Sequence, residues 1–185
     1  NLGGEQCKPG DKVLVSGTLG DHGITIMSCR EGLSFSADLQ SDAAPLNHLI
    51  AEVLAAAPNT RCFRDPTRGG LASTLNEFAD QAQVDITIEE DSVPVKDAVR
   101  GACEMLGYDV LQVANEGKMV CVVPADEADA ALRAMRANKY GADAAIIGEV
   151  GEMQPERGPK VYLRTAFGGK RILDMLVGEQ LPRIC

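Results

Sequence analysis

The stretch KVLVSGTLGDHGITIMSCRE, residues 12–31, decides the fold of this chain. Its first residues are mostly apolar or β-branched and end at Gly17, which favours a strand over residues 12–16. The apolar periodicity after the glycine turn predicts a helix, for which Asp21 is a suitable N-cap. A strand, a glycine turn and a helix N-terminus together form a common anion site. His22 is therefore a candidate ligand-binding residue, and the alternative is a surface capping position.

A second glycine-rich junction, DPTRGG, occupies residues 65–70. It separates a helix predicted over residues 46–57 from one predicted over residues 71–81. Two adjacent glycines let a ligand or another backbone approach closely, and a guanidinium can fork around an oxyanion. The candidate binding residues in this loop are Asp65, Thr67, Arg68, Gly69 and Gly70. Its carboxylate and hydroxyl can either cap the second helix or hold a metal-bridged phosphate. The sequence of a Walker A loop is absent.

A third candidate residue is Glu116, within the sequence ANEGK of residues 114–118. Apolar runs over residues 110–114 and 119–123 flank a glycine-containing turn, which predicts an antiparallel hairpin with Glu116 at its corner. A carboxylate beside an apolar sheet can act as a general base. The alternative is a solvated turn residue without a role.

The remaining periodicities alternate between the two kinds of secondary structure. Strands are predicted over residues 84–89, 144–150 and 161–164, and helices over residues 95–106, 125–138 and 170–176. The chain is 45% hydrophobic and only 4% aromatic, which indicates a core of Ala, Val, Ile and Leu. Together these features predict an α+β domain, in which helices pack in layers on a mixed sheet.

Charge and cysteine usage exclude several classes of function. The net charge of −9 and the absence of a basic cluster argue against a nucleic-acid surface and an anionic membrane. The six cysteines form no C-x-x-C pair, and neither histidine has metal-ligand spacing from them, so no metal site is predicted. We expect reduced thiols in a cytoplasmic protein, with Cys103 and Cys121 in the core.

The chain divides into three parts. Residues 1–12 are polar, and the chain begins with Asn1, so we expect them to be a connector from a missing N-terminal domain. Residues 13–177 form the α+β domain. Residues 178–185 follow Gly178, and Pro182 prevents a helix from continuing, so a mobile C-terminal tail is expected there.

Cys185 is the last residue of that tail. A thiol on a mobile end can enter a pocket, accept a group and leave, which is how a swinging carrier works. The alternative is an ordinary thiol at a frayed terminus. The neighbouring carboxylate should hold the thiol in its protonated form, so its reactivity needs a pocket or a partner.

These pieces together resemble the C-terminal domain of the HypE family, which matures nickel–iron hydrogenases. That family resembles the aminoimidazole ribonucleotide synthetase superfamily, which also contains selenophosphate synthetase and thiamine-phosphate kinase. The matching stretches are VSGTLGDHGI at residues 15–24, DPTRGGLA at 65–72, ANEGK at 114–118 and PRIC at 182–185. The DPTRGG sequence is typical of the superfamily, whereas the terminal PRIC is specific to HypE.

The resemblance implies an ATP-dependent carbamoyl dehydratase. In the family, the terminal cysteine, here Cys185, accepts a carbamoyl group from the carbamoyltransferase HypF. The S-carboxamide is dehydrated with ATP to an S-cyanate, and the cyanide passes to iron on the HypC–HypD complex. Glu116 matches the family's base, which a lysine of the N-terminal domain assists.

The resemblance also implies where ATP binds. ATP and Mg²⁺ are held mainly by the N-terminal domain, at a homodimer interface. The candidate residues of the DPTRGG loop would form one wall near the phosphates, with His22 in the same area. We therefore expect these 185 residues alone not to turn over ATP.

Two other functions remain open. A relative acting on a free small molecule, such as a phosphotransferase or a selenophosphate synthetase, would not need the tail. A non-catalytic docking module would instead present its C-terminal peptide to a partner that captures the carboxylate.

Overall fold

The computed structural model describes residues 1–31 and 41–175, which form five helices, seven strands and three single turns of 3-10 helix. The helices are α1 (Asp21–Glu31), α2 (Asn47–Ala56), α3 (Gly70–Ala82), α4 (Asp97–Leu106) and α5 (Ala128–Ala137). The strands are β1 (Lys12–Val15), β2 (Cys62–Arg64), β3 (Asp85–Glu89), β4 (Val120–Val123), β5 (Ala145–Gly151), β6 (Val161–Arg164) and β7 (Lys170–Ile172).

The strands form one mixed sheet in the order β2-β4-β1-β5-β3-β6-β7. Strands β3 and β6 pair in parallel, and the other neighbours pair antiparallel. The predicted α+β class with a mixed sheet is therefore confirmed. The helices predicted before and after the DPTRGG sequence are confirmed as α2 and α3.

Both faces of the sheet are covered, as strand β1 shows. Val13 and Val15 pack in the cluster that contains the apolar face of α3. Leu14, between them, packs with residues of α2 and α5 on the opposite face. Successive side chains of a strand point to opposite faces, so a run that is apolar throughout is buried on both sides.

A smaller cluster lies beside the main core, where α1 meets α4. Ile24 of α1 packs there with Val99, Ala102 and Cys103 of α4 and with Val113 from the segment before the ANEGK sequence. This cluster holds the start of α1 close to residues 113–118, which positions the candidate site.

The first twelve residues pack against the domain. Cys7 is buried, and the Arg61 guanidinium donates to both carboxylate oxygens of the buried Asp11, at 2.9 and 3.1 Å. This hydrogen bond to Asp11 raises the pKa of Arg61. The expected boundary at residue 12 stays a prediction, and the C-terminal tail lies outside the described residues.

The predicted hairpin over residues 110–123 is wrong. Residues Val110–Gln112 form a single 3-10 turn, and only β4 of the proposed pair is a strand. Strand β4 already pairs with β1 on one edge and with β2 on the other, so no edge is free for a hairpin partner. The apolar side chains Leu111 and Val113 fill the two clusters instead.

The helix predicted over residues 170–176 is also wrong. Lys170–Ile172 is strand β7, which pairs antiparallel with β6. A turn at Gly168 and Gly169 connects them, with the Thr165 amide donating to the Gly169 carbonyl at 2.8 Å. Pairing with an existing strand outweighed the local helical pattern because the ladder satisfies the backbone groups of both strands.

The core positions predicted for two thiols are confirmed: Cys103 is 4% and Cys121 0% exposed. Within residues 1–31 and 41–175, the cysteines form no disulfide, although the sulfur atoms of the buried Cys7 and Cys62 lie 3.7 Å apart. None of the helices in these ranges has the length and apolar character needed to cross a bilayer.

Candidate functional site

Three glycine-containing segments of the sequence meet around one buried side chain, that of Asn115, which is 0% exposed. The segments are the GDHG turn (residues 20–23), the DPTRGG loop (residues 65–70) and the ANEGK loop (residues 114–118). They are far apart in sequence, and the sequence analysis singled out candidate residues in each.

Asn115 uses both ends of its side-chain amide for this junction. Its Oδ1 accepts a hydrogen bond from the Gly20 amide at 2.8 Å. Its Nδ2 donates to the carbonyl oxygens of Pro66 at 3.1 Å and Val113 at 2.9 Å, and its backbone amide also donates to Pro66. All polar atoms of this buried amide have hydrogen-bonding partners. The amide therefore fixes the relative positions of the three segments.

Close backbone approach explains two of the glycines at the junction. A Cβ on Gly70 would lie 2.6 Å from the Val113 carbonyl oxygen and 2.7 Å from that of Leu111. A Cβ on Gly23 would collide with the Val113 side chain. The sequence analysis allowed for a close approach by a ligand or another backbone at the DPTRGG loop, and at Gly70 the structure shows a backbone.

The DPTRGG loop leaves the start of α3 without a side-chain cap. Gly69 is the N-cap, with φ of 72°, and no side chain accepts a hydrogen bond at that position. Capping by Asp65 or Thr67, one of the two alternatives, is therefore wrong. The Gly70 amide donates to the Thr67 carbonyl oxygen at 3.0 Å. The remaining amides of a helix N-terminus favour an anionic group, so the residues present fit a phosphate at this end of the helix.

The charged side chains of the same loop face solvent. Asp65 and Arg68 are exposed, and Thr67 is half-buried. Asp65 lies 3.7 Å from Arg64, which also contacts Glu77 of α3 at 3.1 Å. The exposed guanidinium of Arg68 therefore belongs to the loop that leads into the uncapped start of α3.

The GDHG turn is arranged differently. Helix α1 begins at Asp21 itself, so the predicted N-cap lies inside the helix. The Gly20 and Gly23 amides already donate to Asn115 Oδ1 and to the Ala114 carbonyl oxygen. Two amides that an anion would have used are thus occupied by protein acceptors.

The side chains of this turn also have partners. Asp21 is 2% exposed, and its Oδ2 accepts from the Thr18 hydroxyl at 2.6 Å and forms an ion pair with Lys96 Nζ at 3.0 Å. The Nδ1 of His22 lies 2.9 Å from the Ser41 hydroxyl. The binding role of His22 stays a prediction.

Glu116 follows Asn115 directly, so its backbone is fixed by the junction. Its side chain is half-buried and forms no hydrogen bond or ion pair with residues 1–31 and 41–175. Its carboxylate is therefore free to accept a proton from a molecule placed beside it. The hairpin corner predicted for this residue is replaced by a loop in which Asn115 bonds to Pro66 and the Gly117 backbone packs against residues 42 and 44.

A polar cavity of about 280 Å³ opens beside the ANEGK loop. Its wall contains Gly17, Thr18, Ser41, Gly117 and Tyr140, together with three lysines and three aspartates. The charged residues are Asp21, Asp42, Asp143, Lys96, Lys118 and Lys139. No group of three or more His, Cys, Asp or Glu within the described ranges has a geometry that could hold a metal ion.

The structure therefore brings the ANEGK and DPTRGG candidates and the start of α1 together, whereas Cys185 lies outside the described residues. Sequence reasoning missed Asn115 as the centre of the junction. It also missed the ion pair between Lys118 and Asp42, in which the lysine Nζ lies 3.3 Å from the aspartate Oδ2. An asparagine directly before a candidate base, in a segment rich in glycine, was the available signal.

Comparison with known proteins defines the class. The family model described as "AIR synthase related protein, C-terminal domain" matches residues 8–158. The chain belongs to this family.

Within the family, the chain is similar to HypE proteins. It is 53% identical over 185 residues to the carbamoyl dehydratase HypE of Azotobacter vinelandii, covering 100% of this chain and 53% of that protein. It matches a crystal structure of the hydrogenase maturation protein HypE with a TM-score of 0.93 and 46% identity, over 100% of this chain and 58% of the other. A HypE–HypF complex matches with a TM-score of 0.89 and 45% identity, over 95% and 56% of the two chains. The chain spans about half the length of the curated relatives it matches.

Proposed function

We propose that this chain is the C-terminal part of an ATP-dependent carbamoyl dehydratase that makes the cyanide ligand of nickel–iron hydrogenases. The single observation that carries the proposal is the junction at Asn115, which holds Glu116 near an uncapped helix N-terminus. A base and an anion site are the two features that a phosphate-assisted dehydration requires. The terminal PRIC sequence supplies the thiol.

The chemistry assigns one role to each part. Cys185 accepts the carbamoyl group as a thioester-like S-carboxamide. ATP supplies the phosphoryl group that turns the carboxamide oxygen into a leaving group. Glu116 takes one proton from nitrogen as the oxygen is phosphorylated and passes it to water. It takes the second proton as the C≡N bond forms, while the C–O bond breaks with its electron pair going to the departing phosphate. The product is an S-cyanate on Cys185.

The DPTRGG loop contributes one wall for the phosphates in this proposal. The guanidinium of Arg68 is exposed, Gly69 begins α3 without a side-chain cap, and Asp65 and Thr67 belong to the same loop. Most contacts with ATP and Mg²⁺ would come from the other half of the longer protein. His22 would lie nearby, with a smaller contribution because the amides of its turn are occupied.

The partners follow from the same proposal. A HypE relative has been crystallised with HypF, which supports HypF as the carbamoyl donor for this chain. We further propose delivery of the cyanide to a HypC–HypD complex, a homodimer of the longer protein, and a cytoplasmic location.

Intact-mass spectrometry tests the carrier role. The full-length protein is incubated with HypF, carbamoyl phosphate and MgATP, and the modified residue is mapped after digestion. We expect a carbamoyl adduct on Cys185 that then loses one water. Cys185→Ala should accept no label, and Glu116→Gln should accept the label but retain the water.

Two results would contradict the proposal. Labelling of Cys185→Ala would remove the carrier role, and dehydration by Glu116→Gln at the parent rate would remove the base. Activity that survives deletion of the last four residues would favour a relative acting on a free small molecule. The 185-residue chain alone should load without dehydrating, because in this proposal the other half of the longer protein supplies most contacts with ATP.

A further inference from the structure

The thiols of Cys7 and Cys62 lie in contact inside the cluster that contains the apolar face of α3. Cys7 is 4% and Cys62 2% exposed, and their sulfur atoms are 3.7 Å apart, so one thiol donates a hydrogen bond to the other. The two residues are 55 positions apart in the chain. The dehydration proposed above uses neither of them, so the contact between these two thiols needs another explanation.

We propose that Cys7 and Cys62 are a redox-sensitive pair, which a hydroperoxide converts into a disulfide that thiols can reduce again. Bonded sulfur atoms lie about 2.05 Å apart. The 3.7 Å gap is therefore closed by a small movement that the two side chains share. The bond would tie the segment before β1 to β2, the strand that leads into the DPTRGG loop.

The backbone on either side of Cys7 is held beside Cys62. The Gly3 amide donates to the Arg61 carbonyl oxygen at 2.9 Å. The Arg61 guanidinium donates to both carboxylate oxygens of Asp11. Because residues before and after Cys7 are both bonded to the residue that precedes Cys62, the two thiols stay together for as long as the domain is folded.

The strand register separates a third buried thiol from this pair. Cys121 of β4 lies opposite Phe63, the residue after Cys62. Since successive side chains of a strand point to opposite faces, Cys121 packs in the cluster on the other side of the sheet. Cys103 packs in the cluster where α1 meets α4. The buried thiol that the fold presents to Cys62 is therefore Cys7.

A cavity gives a small oxidant a route to the pair. Its volume is about 300 Å³, and its wall contains Gly4, Cys62, Phe78 and Gln81. Hydrogen peroxide fits this volume, because a water molecule occupies about 30 Å³ in the liquid. Cys62 is thus the residue of the pair that meets the oxidant, and its low exposure of 2% makes a slow reaction the expected one.

The oxidation is a balanced two-electron step. The Cys62 thiol loses its proton to solvent, because the thiolate is the nucleophile. This thiolate attacks one peroxide oxygen, the O–O bond breaks, and the departing hydroxide takes a proton from solvent to become water. The Cys7 sulfur then attacks the Cys62 sulfur, the S–O bond breaks, and the second hydroxide leaves as water with the Cys7 proton. The two sulfurs together lose two electrons, which reduce the peroxide to two waters.

Disulfide mapping tests the pair in the 185-residue chain, without HypF or ATP. The chain is treated with hydrogen peroxide, quenched with N-ethylmaleimide and digested with trypsin without reduction. We expect a linked product of residues 1–12 and 62–64, each of which contains a single cysteine. The midpoint of thermal unfolding should rise by about 5–10 °C, because the bond closes a long loop in the unfolded chain. Dithiothreitol should return the midpoint to its starting value.

Matched variants separate this bond from general oxidation. Cys7→Ala should lose both the linked product and the rise in the midpoint, because the thiol beside Cys62 is removed. Cys103→Ala removes a buried thiol of a different cluster and should keep both. Circular dichroism of reduced Cys7→Ala checks its folding, and the comparison of oxidised with reduced parent chain does not depend on any variant.

Three outcomes would overturn the pair. The first is the absence of the linked product after the exposed Cys29 has been fully oxidised, whether Cys62 is left as a thiol or as a sulfinic acid. The second is a product that joins Cys62 to another cysteine. The third is a rise in the midpoint that persists in Cys7→Ala. The result is also independent of the carrier test, because the proposed dehydration involves neither Cys7 nor Cys62.

Discussion

The GDHG turn and the DPTRGG loop both place glycines at the start of a helix, α1 in one case and α3 in the other. At α1, the Gly20 and Gly23 amides donate to Asn115 and Ala114, and Asp21 adds a buried carboxylate. At α3, no side chain caps Gly69. The two junctions match in sequence type, but two amides of the first donate to the distant ANEGK loop, whereas the Gly70 amide of the second donates to Thr67 within its own loop.

The difference teaches that a glycine-rich helix start becomes an anion site only when the tertiary structure leaves its amides free. In this chain the ANEGK loop makes the difference between the two helix starts. It lies against both helix starts, accepts hydrogen bonds from two amides of the GDHG turn, and donates from Asn115 to the Pro66 carbonyl oxygen of the DPTRGG loop. Asn115 is common to both sides, so changes at this residue should affect both junctions.

Removal of the Asn115 side chain should have the largest effect. Asn115→Ala leaves the Gly20 amide without its partner and removes two donors to buried carbonyl groups. We expect the free energy of unfolding to fall by about 3–5 kcal/mol, measured by urea denaturation. Arg68→Ala, which removes an exposed side chain in the neighbouring loop, should change it by less than about 0.5 kcal/mol. Equal effects of the two variants would contradict the central position of Asn115.

Glycine substitutions probe the two junctions separately. Gly70→Ala combines φ of 59° with contacts of 2.6 and 2.7 Å to carbonyl oxygens, and should cost about 2–4 kcal/mol. Gly23→Ala meets the Val113 side chain and, at 3.2 Å, the Ala114 carbonyl oxygen, but without a positive φ, so about 1–3 kcal/mol is expected.

Gly101→Ala is the matched control for these two glycines. Its added Cβ meets nothing within 4 Å and lies inside α4, so it should stabilise the fold by up to about 1 kcal/mol. Thermal unfolding of the three variants under one condition gives the ranking. A larger loss for Gly23→Ala than for Gly70→Ala would reverse the comparison.

Buried thiols beside the two junctions predict a smaller, pH-dependent effect. A hydrogen bond with Cys7, together with burial, raises the pKa of Cys62, in the strand before the DPTRGG loop. Burial, with the nearby charge of Asp109, raises the pKa of Cys103 to about 11, and this thiol packs against α1. The folded state therefore holds these protons more tightly than the unfolded chain does.

The sign of the pH dependence follows. This stabilisation is fully present below the unfolded thiol pKa of about 8.5 and is lost as the pH rises towards the folded values. We expect the free energy of unfolding, measured by urea denaturation, to fall between about pH 8.5 and about pH 10.5, and Cys103→Ala to make the fall less steep. A fall of the same steepness in that variant would show that Cys103 binds its proton equally strongly in both states.

Periodicity predicted much of the fold because local and tertiary preferences agree there. The apolar stripe of α3 and the alternation in β3 match the faces that they bury. The hairpin over residues 110–123 and the helix over residues 170–176 were predicted wrongly because strand pairing determined the structure of both segments. Strand β4 had both edges occupied, and residues 170–172 paired with β6 through a glycine turn that the sequence did contain.

For the candidate site, the sequence identified Glu116 and the DPTRGG residues as candidates, because carboxylates, guanidinium groups and paired glycines have chemistry that is visible in their residue types. The roles of Asn115 and Asp42 were not predictable. Their importance comes from burial and from partners about 95 and 76 positions away in the chain, such as Gly20 and Lys118. Interactions of that range leave no periodic pattern.

The amino-acid sequence by itself determined the layered α+β class, the chemical character of the three motifs and the thiol at the C-terminus. Only the tertiary structure decided which amides at the two helix starts donate to a distant segment and which buried carboxylate oxygens lack donors. The physical reason is that a hydrogen-bonding group is committed or free according to what packs against it, and that depends on contacts between distant segments.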